Sequence, residues 1–304
     1  MLPDNEQWAI HQGDCIEHMA TMPRDSIDFA VFSPPFPTLY AYTSKPEDIG
    51  NSENLCGEAK FHLSAFYHQL RRIIKPGRVV VTHCTQIVKM KRAGGEGLFD
   101  YRGMIIRLAQ RAGFIYEYDW SVRKNPQSQA IRTRIRELQF AGLESDRANS
   151  RGANPDFLLK FSVPGDNAVK IDTKGEVSRN DWIKWAEHCW DDIIETDTLN
   201  VAEGRSEDDT KHICPLQLEV IRRLTLMFSN PGEIVFSPFT GIGSEGFMAL
   251  GGKSPKTGKC IANPRRFYGC EIKDEYFATA KRNLSKAVNQ HATEQKTMFD
   301  EVVA

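Results

Sequence analysis

No run of apolar residues in this chain approaches the length needed to cross a bilayer, and its opening Met1-Leu2-Pro3-Asp4-Asn5-Glu6 lacks the pattern of a secretory signal. Both absences point to a cytoplasmic protein with no membrane partner. No Cys-x-x-Cys pair occurs among the seven cysteines, at 15, 56, 84, 189, 214, 260 and 270. An odd, scattered set fits reduced thiols in a reducing compartment. His83-Cys84, His188-Cys189 and His212-Ile213-Cys214 match no common zinc spacing, and adjacent strand residues face opposite ways, so no metal is expected. Neither sign of charge is in excess: 39 Lys and Arg stand against 40 Asp and Glu, a formal net charge of −1. That balance excludes a uniformly basic nucleic-acid coat protein and leaves room for a local basic patch.

What is present is enough for one large α/β domain with an insertion, or two small domains: 304 residues, 40% hydrophobic and 26% charged. The organising stretch is Val31-Phe32-Ser33-Pro34-Pro35-Phe36. It follows Ser26-Ile27-Asp28-Phe29-Ala30, an apolar run suited to a buried parallel strand, and two prolines stop that strand in a rigid turn. Such a turn offers a small hydroxyl at Ser33, carbonyls with few donors nearby, and an aromatic face at Phe36. A planar ring bearing an amino group could stack on the phenyl and donate to those oxygens; a Pro-rich loop with a buried Phe is the plainer alternative.

A second stretch lies about two hundred residues on: Ile234-Val235-Phe236-Ser237-Pro238-Phe239-Thr240-Gly241-Ile242-Gly243-Ser244-Glu245-Gly246. A strand runs into a glycine turn and then a helix start, a cradle for a polar or charged group. The next strand, Arg266-Phe267-Tyr268-Gly269-Cys270-Glu271, ends in a carboxylate about 30 residues after that turn, the spacing of one βαβ unit. A carboxylate there can accept both hydroxyls of a ribose.

Together these stretches resemble the amino-methylating DNA methyltransferases, which use S-adenosylmethionine to methylate N4 of cytosine or N6 of adenine. The resemblance covers roughly residues 9–122 and 210–285. It implies that Ser33, Pro34, Pro35 and Phe36 hold the target base, that Phe239, Gly241 and Gly243 hold the methionine end of the cofactor, and that Glu271 takes the ribose. With the Pro-Pro element first and the glycine turn last, the chain is similar to the permuted, beta-class branch. The fold expected is therefore α/β, a doubly wound and mostly parallel sheet of the Rossmann-like methyltransferase type, circularly permuted, with an inserted target-recognition region. Residues 1–122 and 210–304 would form the two halves of the catalytic domain and 123–209 the insert.

Other positions gain meaning from the same resemblance. Gln12-Gly13-Asp14 sits where the family's Gly-Asp lies beside the adenine, although Asp14 equally suits an N-cap of the helix expected over 16–22. His212 and Pro215 precede a helix that lies against the methionine, though Pro215 is also a favoured first-turn proline. The glycine turn usually begins with Asp; here it is Ser237, which implies a weaker hold on the cofactor's ammonium. Between the two halves, Arg123, Lys124, Arg132, Arg134, Arg136, Arg147 and Arg151 outnumber Glu137, Glu144 and Asp146, with Gln127, Ser128, Gln129, Gln139 and Asn149 among them. Arginines neutralise phosphates and amides read base edges, so Arg123, Lys124, Arg132, Arg134 and Arg136 are the DNA candidates; a solvated charged helix is the alternative.

The coarser pattern fits a doubly wound sheet. Helical spacing over 61–74 closes at Lys75-Pro76-Gly77, a strand follows over 78–83, a helix over 101–112 and a strand over 114–122. The loop 37–55 carries Tyr40 and Tyr42, to pack or to assist stacking. Lys89, Lys91 and Arg92 form a basic loop. Asp181 to Trp190 reads as one helix whose three tryptophans make a small core or an interface, and the tail after Ala287 is expected to fray. Duplex DNA is the implied partner, with a restriction endonuclease or a second copy of the chain left open. Methylation at ring carbon would need a thiolate in a Pro-Cys pair; Cys214-Pro215 is the reverse order, so that chemistry is rejected. The resemblance implies cytosine rather than adenine as the target, because in that family Ser at the place of Ser33 often goes with cytosine and Asp with adenine. RNA or protein N-methylation, and DNA binding without activity, are the competing classes.

Overall fold

The computed structural model describes residues 2–37, 43–52, 54–89, 97–133, 143, 144, 146, 148, 151–199 and 216–303, with helix backbone alone at 131–133 and from 294 onward. Tyr40, Tyr42, Lys91, Arg92, Arg134, Arg136, His212 and Pro215 lie outside the described residues.

The chain enters the sheet at β1 (Trp8–Gln12) and turns at Gly13 into α1 (Cys15–Thr21), whose N-cap is Asp14. Strand β2 (Ile27–Phe32) is buried over its whole length. Helix α2 (Glu58–Ile73) buries Leu63, Phe66 and Leu70 and runs directly into β3 (Ile74–Cys84). Lys75-Pro76-Gly77, expected to be a stop ahead of the strand, is thus the strand's first part. Gly77 takes φ +70°, and a Cβ there would lie 2.3 Å from the Asn167 nitrogen, so the position calls for glycine.

Then come the short pair β4 (Ile87–Val88) and β5 (Leu98–Phe99), α3 (Tyr101–Arg111), β6 (Ile115–Val122), α4 (Pro126–Thr133), β7 (Asp156–Ser162), α5 (Arg179–Trp185) and β8 (Cys189–Trp190). The last third holds α6 (Leu218–Phe228), β9 (Ile234–Ser237), α7 (Ser244–Ala249), β10 (Arg266–Glu271) and α8 (Asp274–Val303). The polar tail, expected to fray, is part of α8; no Gly or Pro interrupts it between 274 and 303.

Among the described residues, eight strands form one sheet in the order β1-β10-β9-β2-β3-β7-β6-β8. The first five run parallel, β7 is antiparallel to both β3 and β6, and β8 is parallel to β6. The architecture is the doubly wound, mostly parallel α/β sheet read from the sequence, and β7, from the middle of the chain, is built into it. Side chains of β2 divide between the two faces. Ile27, Ala30 and Phe32 join Met19, Phe66, Leu70 and Ile105 on one side, while Phe29 and Val31 join Ile221, Leu224, Phe247 and Leu284 on the other.

The chain reverses its direction of winding between β2 and β9. From β2 it passes through α2 to β3; from β9 it passes through α7 to β10, on the opposite face and in the opposite direction along the sheet. The two strands are parallel neighbours, with Phe29 beside Val235 and Ala30 beside Phe236. Where adjacent parallel strands send their helices to opposite faces, a crevice opens beyond their carboxyl ends. The far end of the same pair is clamped by the buried Asp28, whose carboxylate accepts the Ile234 N–H at 2.9 Å and the Lys75 ammonium at 2.5 Å.

The tryptophan segment is not one helix. It stops at Trp185, because the Trp185 carbonyl is taken at 3.0 and 3.1 Å by the indole N–H groups of Trp120 and Trp190. Cys189–Trp190 instead pairs with β6. Trp185 and Trp190 are buried beside Trp120 in the core, whereas Trp182 is 46% exposed. Among the described residues, no helix is long and apolar enough to cross a membrane and no group of three His, Cys, Asp or Glu is placed to hold a metal.

Candidate active site

The crevice at the ends of β2 and β9 is lined by Ser33 and Pro35 from one side and by Phe239, Gly241 and Glu271 from the other, with Gly13 and Asp14 at its edge. Pro34, between Ser33 and Pro35 in sequence, is buried. The Pro35 carbonyl accepts the Tyr101 hydroxyl at 2.7 Å, which fixes the turn against α3. Phe36 stands beside the crevice rather than on its wall: its ring packs against Tyr101, centroids 5.6 Å apart and tilted 48°, and it remains half-buried. Among the described residues, no hydrogen bond reaches the Pro34 carbonyl.

The opposite wall is knitted by backbone. Gly241 at φ +55° and Gly243 at φ +91° adopt left-handed conformations, and Gly243 is the N-cap of α7. A Cβ on Gly243 would come 3.3 Å from Ala280, whereas one on Gly241 would meet nothing within 4 Å, so the turn at 241 faces open space. The Glu271 carboxylate accepts the Gly241 N–H at 2.6 Å and the Lys273 N–H at 2.9 Å. Gly13 N–H reaches the Glu271 carbonyl at 2.9 Å, tying the β1 turn to the β10 tip. Asp14 does cap α1, accepting the N–H groups of Ile16 at 3.2 Å and Glu17 at 3.0 Å, and it also lines the crevice. Asp14 is thus an N-cap placed at the edge of the crevice.

Two carboxyls in this crevice are held near neutrality. Burial pushes Glu271 up to about 7 against the pull of the backbone N–H donors of Lys273, Gly241 and Ile272. Burial pushes Glu245 up to about 8, and the Glu271 charge adds to the effect. The buried hydroxyls of Ser237 and Ser244 have no partner among the described residues. An open glycine turn, orphaned hydroxyls and carboxyls that ionise readily near a cation suit a ligand carrying hydroxyls and positive charge.

Sequence reasoning missed the groups behind Ser33. Its hydroxyl lies 2.6 Å from Nδ1 of His83, at the end of β3. His83 Nε2 lies 3.1 Å from Oδ2 of Asp156, off the ideal hydrogen-bond line, and Lys124 Nζ is 2.5 Å from the same oxygen. Burial alone would raise Asp156, but its contacts with His83 and Lys124 outweigh it and hold the carboxyl at about 2. The signal was register: Phe32 pairs with Thr82, so the next residue on each strand emerges side by side. Single-sequence patterning does not supply that pairing.

The basic candidates separate. Arg123 is exposed, Arg132 lies on α4, and Lys124 turns inward to Asp156 with its side chain only 7% exposed. Gln129 is likewise spent on structure, exchanging hydrogen bonds of 2.8 and 3.0 Å with the Asn154 backbone.

Fold and crevice define a nucleotide-type α/β enzyme scaffold with a Pro-Pro-aromatic turn facing a glycine turn. The sequence model of the N6/N4 DNA methylase family matches residues 27–282, and the chain belongs to that family. A curated relative, the DNA adenine methyltransferase YhdJ of Escherichia coli strain K12, is 36% identical over 75 residues, which span 25% of this chain and 22% of that protein. Among solved structures, TTHA0409 of Thermus thermophilus in complex with S-adenosyl-L-methionine superposes with a TM-score of 0.63 at 19% identity, covering 93% of this chain and 96% of that one. The cytosine-N4-specific PvuII DNA methyltransferase gives 0.62 at 17% identity, covering 94% and 93%. At such identities the likeness is one of fold.

Proposed function

We propose that the chain transfers a methyl group from S-adenosylmethionine to an exocyclic amino group of a base in double-stranded DNA, with N4 of cytosine favoured over N6 of adenine. The observation that carries this reading is shared space: Ser33 and Pro35 line the same crevice as Gly241 and Glu271. When bound, S-adenosylmethionine supplies a methyl on a sulfonium, open to in-line displacement. Glu271 would take the ribose hydroxyls, Asp14 would lie on the adenine side, and the turn of Phe239, Gly241 and Gly243 would hold the methionine end, with Ser237, His212 and Pro215 beside it.

The amino nitrogen is a poor nucleophile because its lone pair is delocalised into the ring. Acceptors at Ser33 and the Pro34 carbonyl would draw its hydrogens out of the ring plane and free the lone pair, while Phe36, from its place beside the crevice, would orient a base flipped out of the duplex. Arg123, Arg132, Arg134 and Arg136 would contact phosphates, with target recognition in the parts of 123–209 outside the sheet strands Asp156–Ser162 and Cys189–Trp190, between catalytic halves 1–122 and 210–304. The cytosine preference rests on Ser33, where the adenine enzymes often carry Asp. Incubation with tritiated S-adenosylmethionine and, in parallel, duplex DNA, RNA and protein tests the reading. Label is expected in duplex DNA; label confined to RNA or protein, or none, overturns it.

A further inference from the structure

Methylating an amino nitrogen leaves one proton too many. The nitrogen lone pair forms the bond to the methyl carbon as the carbon–sulfur bond breaks and its electron pair returns to sulfur. The nitrogen is then cationic and must release one of its hydrogens as a proton. The turn Ser33-Pro34-Pro35-Phe36 holds no titratable group to receive it. The structure places one directly behind the turn, in the 8%-exposed imidazole of His83, 2.6 Å from the Ser33 hydroxyl.

Donor and acceptor chemistry assigns the hydrogens along this line, the His83–Asp156 contact being an ion-pair distance rather than a formed hydrogen bond. The Lys124 ammonium only donates and the Asp156 carboxylate only accepts, so the His83 nitrogen facing Asp156, Nε2, carries a hydrogen. In the neutral ring Nδ1 is then an acceptor, and the Ser33 O–H donates to it. Both lone pairs of the Ser33 oxygen are left for the crevice, the direction from which an amine would offer its hydrogens. We propose that His83 is a positioning residue for the reaction: it turns the Ser33 hydroxyl so that this oxygen accepts from the target amine, and through that hydroxyl it receives the proton the amine sheds. This rests on the amino-methyl-transfer reading.

The proton passes from nitrogen to Ser33 Oγ as the Ser33 hydrogen moves to His83 Nδ1. The ring becomes an imidazolium facing Asp156, and the proton later leaves to water. Lys124 keeps the buried Asp156 charge balanced while His83 is neutral. Among the described residues, further ionisable groups on this side are Cys84, the next residue on β3, whose thiol is pushed well up by burial, and beyond it the Arg102–Asp119 ion pair and Asp100. Among the described residues, only Asp156 and Lys124 place charges directly on the Ser33–His83 line.

Two measurements decide the matter. Nitrogen-15 NMR of labelled histidine in the unliganded protein should show His83 as the Nε2–H tautomer, with an Nδ1 resonance that moves in Ser33→Ala. An Nδ1–H tautomer, or no response to Ser33→Ala, overturns the assignment without any variant of His83 itself. Single-turnover methyl transfer to duplex DNA across pH, for wild type and His83→Gln, is the second. The variant should be slower by about 10²-fold, bind S-adenosylhomocysteine as tightly as wild type, and lose the acid-side fall of the wild-type rate profile. A wild type inert toward DNA overturns the methyl-transfer reading; an active wild type matched by His83→Gln in rate and profile overturns the role of His83 alone.

Discussion

The crevice carboxyls make the free protein's stability fall as pH rises, and Glu245 sets the size of the effect. Its side chain is 5% exposed, and its folded-state value of about 8 lies above the ordinary 4.5. A carboxyl with a raised folded value binds its proton more tightly in the native state. The native state therefore holds more protons than the unfolded chain between those limits, and stability declines with increasing pH across that window. Below 4.5 both states are protonated and nothing is lost; above 8 the loss is complete. At about 1.4 kcal/mol per pH unit, the gap corresponds to a loss on the order of 5 kcal/mol. Glu271, pushed up to about 7, adds a loss of the same direction over a narrower range. Glu245→Gln keeps the shape and removes the ionisation. Urea unfolding of the ligand-free protein from about pH 5 to about pH 8 should show wild type losing several kcal/mol and the variant losing much less. Parallel pH dependence in the two proteins would refute the reasoning.

Other outcomes follow from the same geometry. Gly241→Ala places a methyl in open space at the crevice but forces a left-handed residue, so urea unfolding should show a loss of about 1 kcal/mol, while calorimetry shows weaker S-adenosylmethionine binding. Trp185→Ala removes a buried indole and should cost about 3–5 kcal/mol, against less than about 0.5 kcal/mol for the exposed Trp182→Ala, read by thermal unfolding. Pro34→Ala with Phe36→Ala should abolish methyl transfer to DNA yet leave cofactor affinity, measured by calorimetry, nearly intact.

Much of the architecture was legible because it depends on local chemistry. The buried run before Pro34, the glycine turn after Ser237 and the carboxylate ending at Glu271 each announce themselves within a few residues, and the βα rhythm joins them. What stayed hidden depends on pairing between distant strands. β7 enters the central sheet between β3 and β6, a placement that no short-range pattern encodes, and it delivers Asp156 to His83. Lys124 read as a phosphate-binding cation because its sequence neighbours are basic. Only its tertiary partner shows that the ammonium is spent on a buried carboxylate. The helix over Trp182 and Trp185 was legible, but its end was not, since indoles from two other segments claim the carbonyl that would have continued it.

The central claim is that a base-holding turn and a cofactor-holding turn, brought together where the sheet reverses its winding, perform one reaction on DNA. Mass spectrometry of nucleosides from duplex DNA incubated with the protein and S-adenosylmethionine tests it most directly. The expected product is N4-methylcytosine. N6-methyladenine would overturn the base preference, and DNA left unmodified would contradict the account.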